Sequence, residues 1–167
     1  GGESWTQAAG LPSGGSRMVF DITEANPNRV YVTVASYGNS FDGVYMSNDG
    51  GFNFTLRNNT TDIYNSSRQA WYDLAICVSD SDPNILFHGV LNIWKSIDGG
   101  LTWVQVNSWS EPNSTTYTHA DIHFLDYQNG TIFCGSDGGV YRSINNGNSF
   151  TDITSGIQIG QFYSIAG

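Results

Sequence analysis

The sequence is poor in charge, and poorest in positive charge. Only 13% of its 167 residues are charged, and six Lys and Arg stand against 15 Asp and Glu, which gives a formal net charge of -9. A surface of this sign repels the phosphate backbone of nucleic acids and anionic lipid head groups. We therefore expect neither a nucleic acid nor a membrane surface among the partners.

Long apolar runs are also missing. No apolar stretch reaches the roughly 18 residues that a membrane-spanning helix needs. The first residues have neither the basic segment nor the apolar segment of an export signal. We expect no membrane insertion, and we expect any export signal to lie outside this segment. The two cysteines, Cys77 and Cys134, each lie in an apolar run, which favours buried strand residues over a disulfide but leaves their redox state open.

An internal repeat is the main positive feature. An octapeptide of the form Ser-x-Asp/Asn-x-Gly-x-x-Trp/Phe occupies residues 47–54, 96–103 and 143–150, and residues 1–5 match the tail of a fourth copy. Its closing aromatic residues are spaced by 49, 49 and 47 positions, at Trp5, Phe54, Trp103 and Phe150. A nearly constant period of this length indicates a repeat protein, and we expect more of the repeat to precede this segment.

Each octapeptide predicts a hairpin turn. Its Asp or Asn side chain can accept hydrogen bonds from backbone N–H groups of the turn, its Gly supplies a positive φ, and its aromatic residue packs beneath. The Ser hydroxyl can also bond locally. We interpret these residues as structural rather than catalytic, and they are Ser47, Asp49, Gly51 and Phe54, Ser96, Asp98, Gly100 and Trp103, and Ser143, Asn145, Gly147 and Phe150.

Short β-rich runs lie between the octapeptides, without helical periodicity. Four short antiparallel strands in each period are typical of a propeller blade. We predict an all-β fold, a β-propeller fragment of about three four-stranded blades over residues 1–167, with repeats ending near 57, 106 and 153 and a further blade starting in 158–167. The predicted strands are 18–22, 30–35, 43–46, 55–57, 72–78, 85–88, 92–95, 104–106, 121–125, 131–135, 140–142 and 151–153, with another at 161–166.

Candidate ligand contacts collect on the face opposite the octapeptide turns, where propellers usually bind. Aromatic rings there can stack on sugars or peptide side chains, or pack between blades, and the candidates are Trp71, Tyr72, Tyr37 and Tyr117. Strand alternation would place His119, Asp121 and His123 on one side. Such a group can coordinate a divalent metal, take part in acid–base chemistry, or form a polar channel lining.

The octapeptides resemble the Asp box, or bacterial neuraminidase repeat, of sialidases, sortilin-type receptors and xyloglucanase-type glycoside hydrolases. From residue 68 onward, the segments 71–73, 119–121 and 137–139 resemble a family of secreted, sortilin-like Asp-box propellers that is common in Bacteroidota and often carries a type IX sorting domain. This resemblance implies a secreted or cell-surface protein. It implies a location more than a reaction.

The resemblance to enzymes is partial. Sialidases hold their substrate with three arginines, whereas the five arginines here occupy unlike positions. Xyloglucanase-type enzymes use two carboxylates from distant blades, and residues 137–142 resemble the stretch around one of them, which makes Asp137 a catalytic candidate with Asp73 or Asp121 as its partner.

We favour a binding or scaffolding propeller that contacts a glycan or protein ligand through the loop face, because no complete catalytic set can be written. The alternative is a fragment of a xyloglucanase-like or sialidase-like glycoside hydrolase with paired carboxylates. No cofactor is expected other than the divalent metal that His119, Asp121 and His123 would hold. Three blades cannot close a ring, so we expect the rest of the propeller or a partner chain to cover the open edges.

Overall fold

The computed structural model of the protein describes residues 2–157. These residues form twelve strands and no helix, arranged in three four-stranded antiparallel sheets, so the all-β prediction is confirmed. Within the same residues there is no helix of the length and apolar character needed to cross a membrane. The strand predicted at 161–166, and the further blade predicted in 158–167, lie outside the described residues.

Each sheet is a meander in which strands pair in chain order. Sheet 1 contains β1 (Arg17–Thr23), β2 (Asn26–Ala35), β3 (Phe41–Ser47) and β4 (Phe54–Asn58). Sheet 2 contains β5 (Ala75–Val78), β6 (Leu86–Gly89), β7 (Ile93–Ser96) and β8 (Val104–Gln105). Sheet 3 contains β9 (Ile122–Gln128), β10 (Thr131–Ser136), β11 (Gly139–Ser143) and β12 (Thr151–Asp152).

Two predicted strands that follow a linker between sheets begin too early. The strand predicted from residue 72 begins at Ala75, because the backbone N–H groups of Tyr72 and Asp73 both donate to the Gln69 carbonyl in a turn. The strand predicted from residue 121 begins at Ile122, because Asp121 has a φ of 62° and is not extended. Both errors fall where a linker between sheets enters an inner strand.

The octapeptides form the turns between the third and fourth strands, which we call the box turns (residues 47–54, 96–103 and 143–150). In the second, Asp98 Oδ1 accepts the N–H groups of Leu101 and Thr102 at 3.0 and 2.9 Å and the Ser96 hydroxyl at 2.8 Å. The Ser96 hydroxyl oxygen in turn accepts the Gly100 N–H at 2.9 Å. A carboxylate and a hydroxyl thus replace the backbone partners that the turn lacks.

The box turns also connect neighbouring sheets. Arg57, at the end of sheet 1, donates to the carbonyl oxygens of Asp98 and Gly99 at 3.0 and 2.8 Å. Lys95 of sheet 2 donates to the Asn146 carbonyl of the third box turn at 2.9 Å. A methyl group added at Gly99, where φ is 70°, would come within 3.0 Å of the Tyr31 hydroxyl on sheet 1. The second and third box turns are therefore packed against the preceding sheet.

Two buried cores join the sheets face to face. Between sheets 1 and 2, the Thr33 hydroxyl contacts Tyr64 OH at 3.1 Å and His88 Nε2 at 3.2 Å, and the Tyr64 and His88 rings are stacked. Burial lowers the pKa of His88 to about 3, so this imidazole is neutral. Between sheets 2 and 3, Cys77 and Cys134 are buried with free thiols.

We predict that Asp98→Ala lowers the free energy of unfolding by about 1–3 kcal/mol, because several donors lose their acceptor. Asp98→Asn should lose much less, since Asn145 holds this position in the third box turn and accepts the Ser149 N–H at 2.9 Å. Urea denaturation of the full-length protein measures both effects. The control is Glu111→Ala, at an exposed position. Equal losses in Asp98→Ala and the control would contradict the role of this carboxylate.

Candidate functional site

The face opposite the box turns gathers three connections from sheets 2 and 3. They are the linker that leads into β5, the linker that leads into β9, and the turn between β10 and β11. Six residues at these connections and at the start of β9 carry polar side chains that form two hydrogen-bonded groups, joined by a backbone hydrogen bond from Asp137 to Asp121. Together we call them the carboxylate cluster: Gln69, Tyr72, Asp73, Asp121, His123 and Asp137. All three predicted catalytic candidates, Asp73, Asp121 and Asp137, belong to it.

The outer part of the cluster is open to solvent. Tyr72 OH donates to Asp137 Oδ2 at 2.9 Å, and His123 Nε2 lies 2.8 Å from Asp137 Oδ1. The Tyr72 and His123 rings meet edge to face, with centroids 4.7 Å apart. Because the His123 and Asp137 side chains are 33% and 30% exposed, a ligand can reach both.

The inner part centres on a buried carboxyl group. Gln69 Nε2 donates to Asp73 Oδ2 at 2.9 Å and to Asp121 Oδ1 at 2.5 Å, so one amide bridges two carboxyl groups. Asp73 is 0% exposed, and its Oδ1 has no hydrogen-bond partner. The Asp137 N–H donates to the Asp121 carbonyl at 3.3 Å, which ties the inner part to the outer one.

This burial changes the acidity of Asp73. Desolvation is the main cause and the negative charge of Asp121 adds to it, while the hydrogen bond from Gln69 and the proximity of His123 act in the opposite direction. The net effect raises the pKa of Asp73 from 3.8 to about 7. Asp73 is therefore neutral in mildly acidic solution and charged in mildly alkaline solution.

Arg17 holds the linker that carries Trp71 and Tyr72. Its Nη1 donates to the carbonyl oxygens of Ala70, Trp71 and Tyr72 at 3.3, 3.4 and 3.1 Å. Sequence reasoning missed both Arg17 and Gln69. The spacing of four residues between Gln69 and Asp73 is a weak local signal for the hydrogen bond between their side chains. Arg17 lies more than 50 residues from its partners, so no local sequence signal points to its contacts.

The predicted aromatic contacts differ in their surroundings. Trp71 is 65% exposed, and its ring lies 5.6 Å from that of Tyr72. Tyr37 is exposed on sheet 1, with its hydroxyl close against Gly14. Tyr117 is partly buried against the core between sheets 2 and 3, and its ring meets Tyr141 edge to face. Of these four aromatic side chains, Tyr72 belongs to the carboxylate cluster, and the Trp71 ring contacts it through Tyr72.

The alternation predicted for His119, Asp121 and His123 is wrong. Asp121 has a left-handed backbone and bonds to Gln69, while His123 contacts Asp137. His119 Nδ1 lies 3.1 Å from the neighbouring Ala120 carbonyl, and its ring fills the space beside Gly138. Across residues 2–157, no group of three or more His, Cys, Asp or Glu side chains is arranged to hold a metal ion.

No protein-family model matches the sequence, and no curated protein matches it. Solved structures do match. A GH74 enzyme from Niastella koreensis is 24% identical with a TM-score of 0.59, over 81% of this chain and 22% of that one. A GH74 xyloglucanase from Xanthomonas campestris is 16% identical with a TM-score of 0.59, over 84% of this chain and 24% of that one.

A third structure, YCF48 bound to a D1 peptide, is 14% identical with a TM-score of 0.53, over 80% of this chain and 39% of that one. These are β-propeller proteins. The chain is part of a β-propeller. Its three sheets are three four-stranded blades, as the repeat predicts, and they span between about a fifth and two fifths of the length of these propellers.

We predict that the acidity of Asp73 makes stability depend on pH. Its pKa is about 7 in the folded protein and 3.8 when unperturbed, so the folded state holds an extra proton between these values. The contribution of Asp73 to the free energy of unfolding is fully present below about pH 4 and is lost as the pH rises through about 7. The free energy of unfolding falls by at most about 1.4 kcal/mol per pH unit over this interval. Asp73→Asn, which stays neutral, should lack this loss.

Urea denaturation of the full-length protein between pH 4 and 8 measures the difference between wild type and Asp73→Asn. The control is Glu111→Gln, whose stability difference from wild type should not change across this interval. A difference between wild type and Asp73→Asn that is constant with pH would contradict the raised pKa.

Proposed function

We propose that this chain is a ligand-binding portion of an Asp-box propeller in a secreted or cell-surface protein, and that it binds a glycan through the carboxylate-cluster face. The observation that carries this proposal is the exposed Trp71 ring near the hydrogen-bonded, partly exposed side chains of Asp137 and His123. An aromatic face stacks on a sugar ring, while carboxylate and imidazole atoms bond to hydroxyl groups. A peptide ligand is the other occupant that this surface can accept.

The linker geometry supports the same proposal. Arg17 fixes three consecutive carbonyl groups around Trp71, and Tyr72 is held by its bond to Asp137. The backbone around Trp71 and the Tyr72 ring are therefore held in place before a ligand arrives, which reduces the entropy lost on binding. The secreted or cell-surface location rests on the resemblance of the repeat to exported Asp-box proteins.

Glycoside hydrolysis is the second candidate. Two observations favour it: the amide-bridged carboxyl pair Asp73 and Asp121, one with a pKa near neutrality, and the likeness to propellers that include a GH74 xyloglucanase. One observation opposes it. The Asp73 carboxyl group is fully buried, so a glycosidic oxygen cannot reach it in this arrangement.

We predict that Trp71→Ala weakens glycan binding at least tenfold, because it removes the exposed stacking surface. Affinity electrophoresis and calorimetry on the full-length protein, with xyloglucan, cellulose-derived oligosaccharides and a peptide library as probes, measure the change. The matched control is Phe52→Ala, which removes a ring of 65% exposure from the box-turn face. Equal effects of the two substitutions would contradict the proposed site.

The same preparations separate binding from catalysis. Release of reducing ends by wild type, lost in Asp137→Asn and in Asp121→Asn, would establish hydrolysis. Binding without cleavage supports the binding proposal, and binding of peptides alone would transfer the site to a protein ligand.

We also propose that further blades of the same polypeptide cover blade 1 (sheet 1) on the face that points away from blade 2 (sheet 2). Alternate residues of β1, Met18, Phe20 and Ile22, point away from blade 2 and are exposed, while Val19 between them packs against the core. An apolar row of this kind on a sheet face marks an interface.

We predict that the 167-residue chain alone self-associates, and that Phe20→Ser reduces the association in sedimentation velocity. Phe52→Ser is the matched control, because the two rings have nearly equal exposure, 68% and 65%. A monomeric, cooperatively folded wild-type chain would contradict this proposal.

A further inference from the structure

The inner part of the carboxylate cluster has a feature that binding alone does not require. Asp73 is 0% exposed, yet one of its two oxygens has no partner, and the other shares the Gln69 amide with Asp121. A charged carboxylate in this position lacks the second and third hydrogen bonds that normally compensate burial. The geometry therefore favours a proton on Asp73 whenever water is excluded from its surroundings.

The surroundings of Asp73 are set by the same groups that face the proposed ligand. Asp121 is bridged to it by Gln69, and Asp121 is tied through its carbonyl to the backbone of Asp137. A ligand lying on Trp71 and Asp137 would displace water above Asp121 and so strengthen the repulsion between Asp121 and a charged Asp73. The titratable and charged groups packed around this point are Arg17 from β1, Tyr72 from the linker, Asp121 and His123 at β9, His119 beside Gly138, and Asp137 from the β10–β11 turn.

Arg17 does not neutralise Asp73. Its guanidinium donates to the carbonyl oxygens of residues 70–72, so its hydrogen bonds are directed at the linker backbone. His123 is directed at Asp137. Among residues 2–157, Gln69 is therefore the one side chain that donates a hydrogen bond to Asp73.

We propose that ligand binding at the carboxylate cluster is coupled to the uptake of a proton by Asp73, so that the site holds its ligand in mildly acidic solution and releases it in mildly alkaline solution. This inference rests on the proposed function. The pKa of Asp73, about 7 without ligand, places the transition in the neutral range. When binding requires one proton, affinity falls up to about tenfold for each pH unit above that pKa.

The first test is the dissociation constant of the full-length protein for xyloglucan, measured by calorimetry from pH 5.5 to 8.5. Wild type should lose affinity above about pH 7, and Asp73→Asn, which is neutral at every pH, should bind with nearly constant affinity across this range. His123→Gln tests the contribution of the imidazole separately. It should weaken binding overall but keep the loss of affinity above pH 7, because Asp73 is intact.

The second test is independent of affinity. The carboxyl carbon resonance of Asp73 should titrate near pH 7 in the free protein, and its midpoint should move upward when xyloglucan is added. A pH dependence that persists in Asp73→Asn, or a midpoint that xyloglucan does not raise, would overturn the coupling. Binding of xyloglucan that is flat with pH contradicts this inference alone. Absence of binding to both xyloglucan and the cellulose-derived oligosaccharides at every pH contradicts the inference and the proposed glycan function.

Discussion

A short polar side chain that stands in for missing backbone partners is the interaction on which this architecture depends. At each box turn the chain reverses between two strands, and the Ser hydroxyl and the Asp or Asn oxygen accept the N–H groups that no neighbouring strand can reach. Because the turn is satisfied internally, its outer carbonyl oxygens are free to accept Arg57 and Lys95 from the preceding blade. Strand order, blade spacing and blade contact follow from this small motif.

The opposite edge of the propeller is built on another principle. Its connections are linkers whose conformation is set by long-range contacts, such as the hydrogen bonds from Arg17 to the carbonyl groups of residues 70–72. Such a surface can vary in sequence without disturbing the blade meanders. It therefore suits a ligand site, since the scaffold below supplies the rigidity and the linkers supply the chemistry.

The balance between these two edges explains what could be predicted from the sequence. The box turns are local, so their spacing was sufficient to predict twelve strands and three blades. The convergence of Asp73, Asp121 and Asp137 could be anticipated, because all three lie at the linker edge. The starts of β5 and β9 could not, since a turn closed on Gln69 and the left-handed Asp121 override the β-rich pattern. Gln69 and Arg17 were missed because their importance comes from partners on other strands.

The cationic contacts between blades run in one direction along the chain. Arg57 of the first blade reaches the second box turn, and Lys95 of the second blade reaches the third. Blade 2 thus carries an acceptor for blade 1 and a donor for blade 3. A gene duplication that copied the whole period of blade 2 would copy both ends of this contact together.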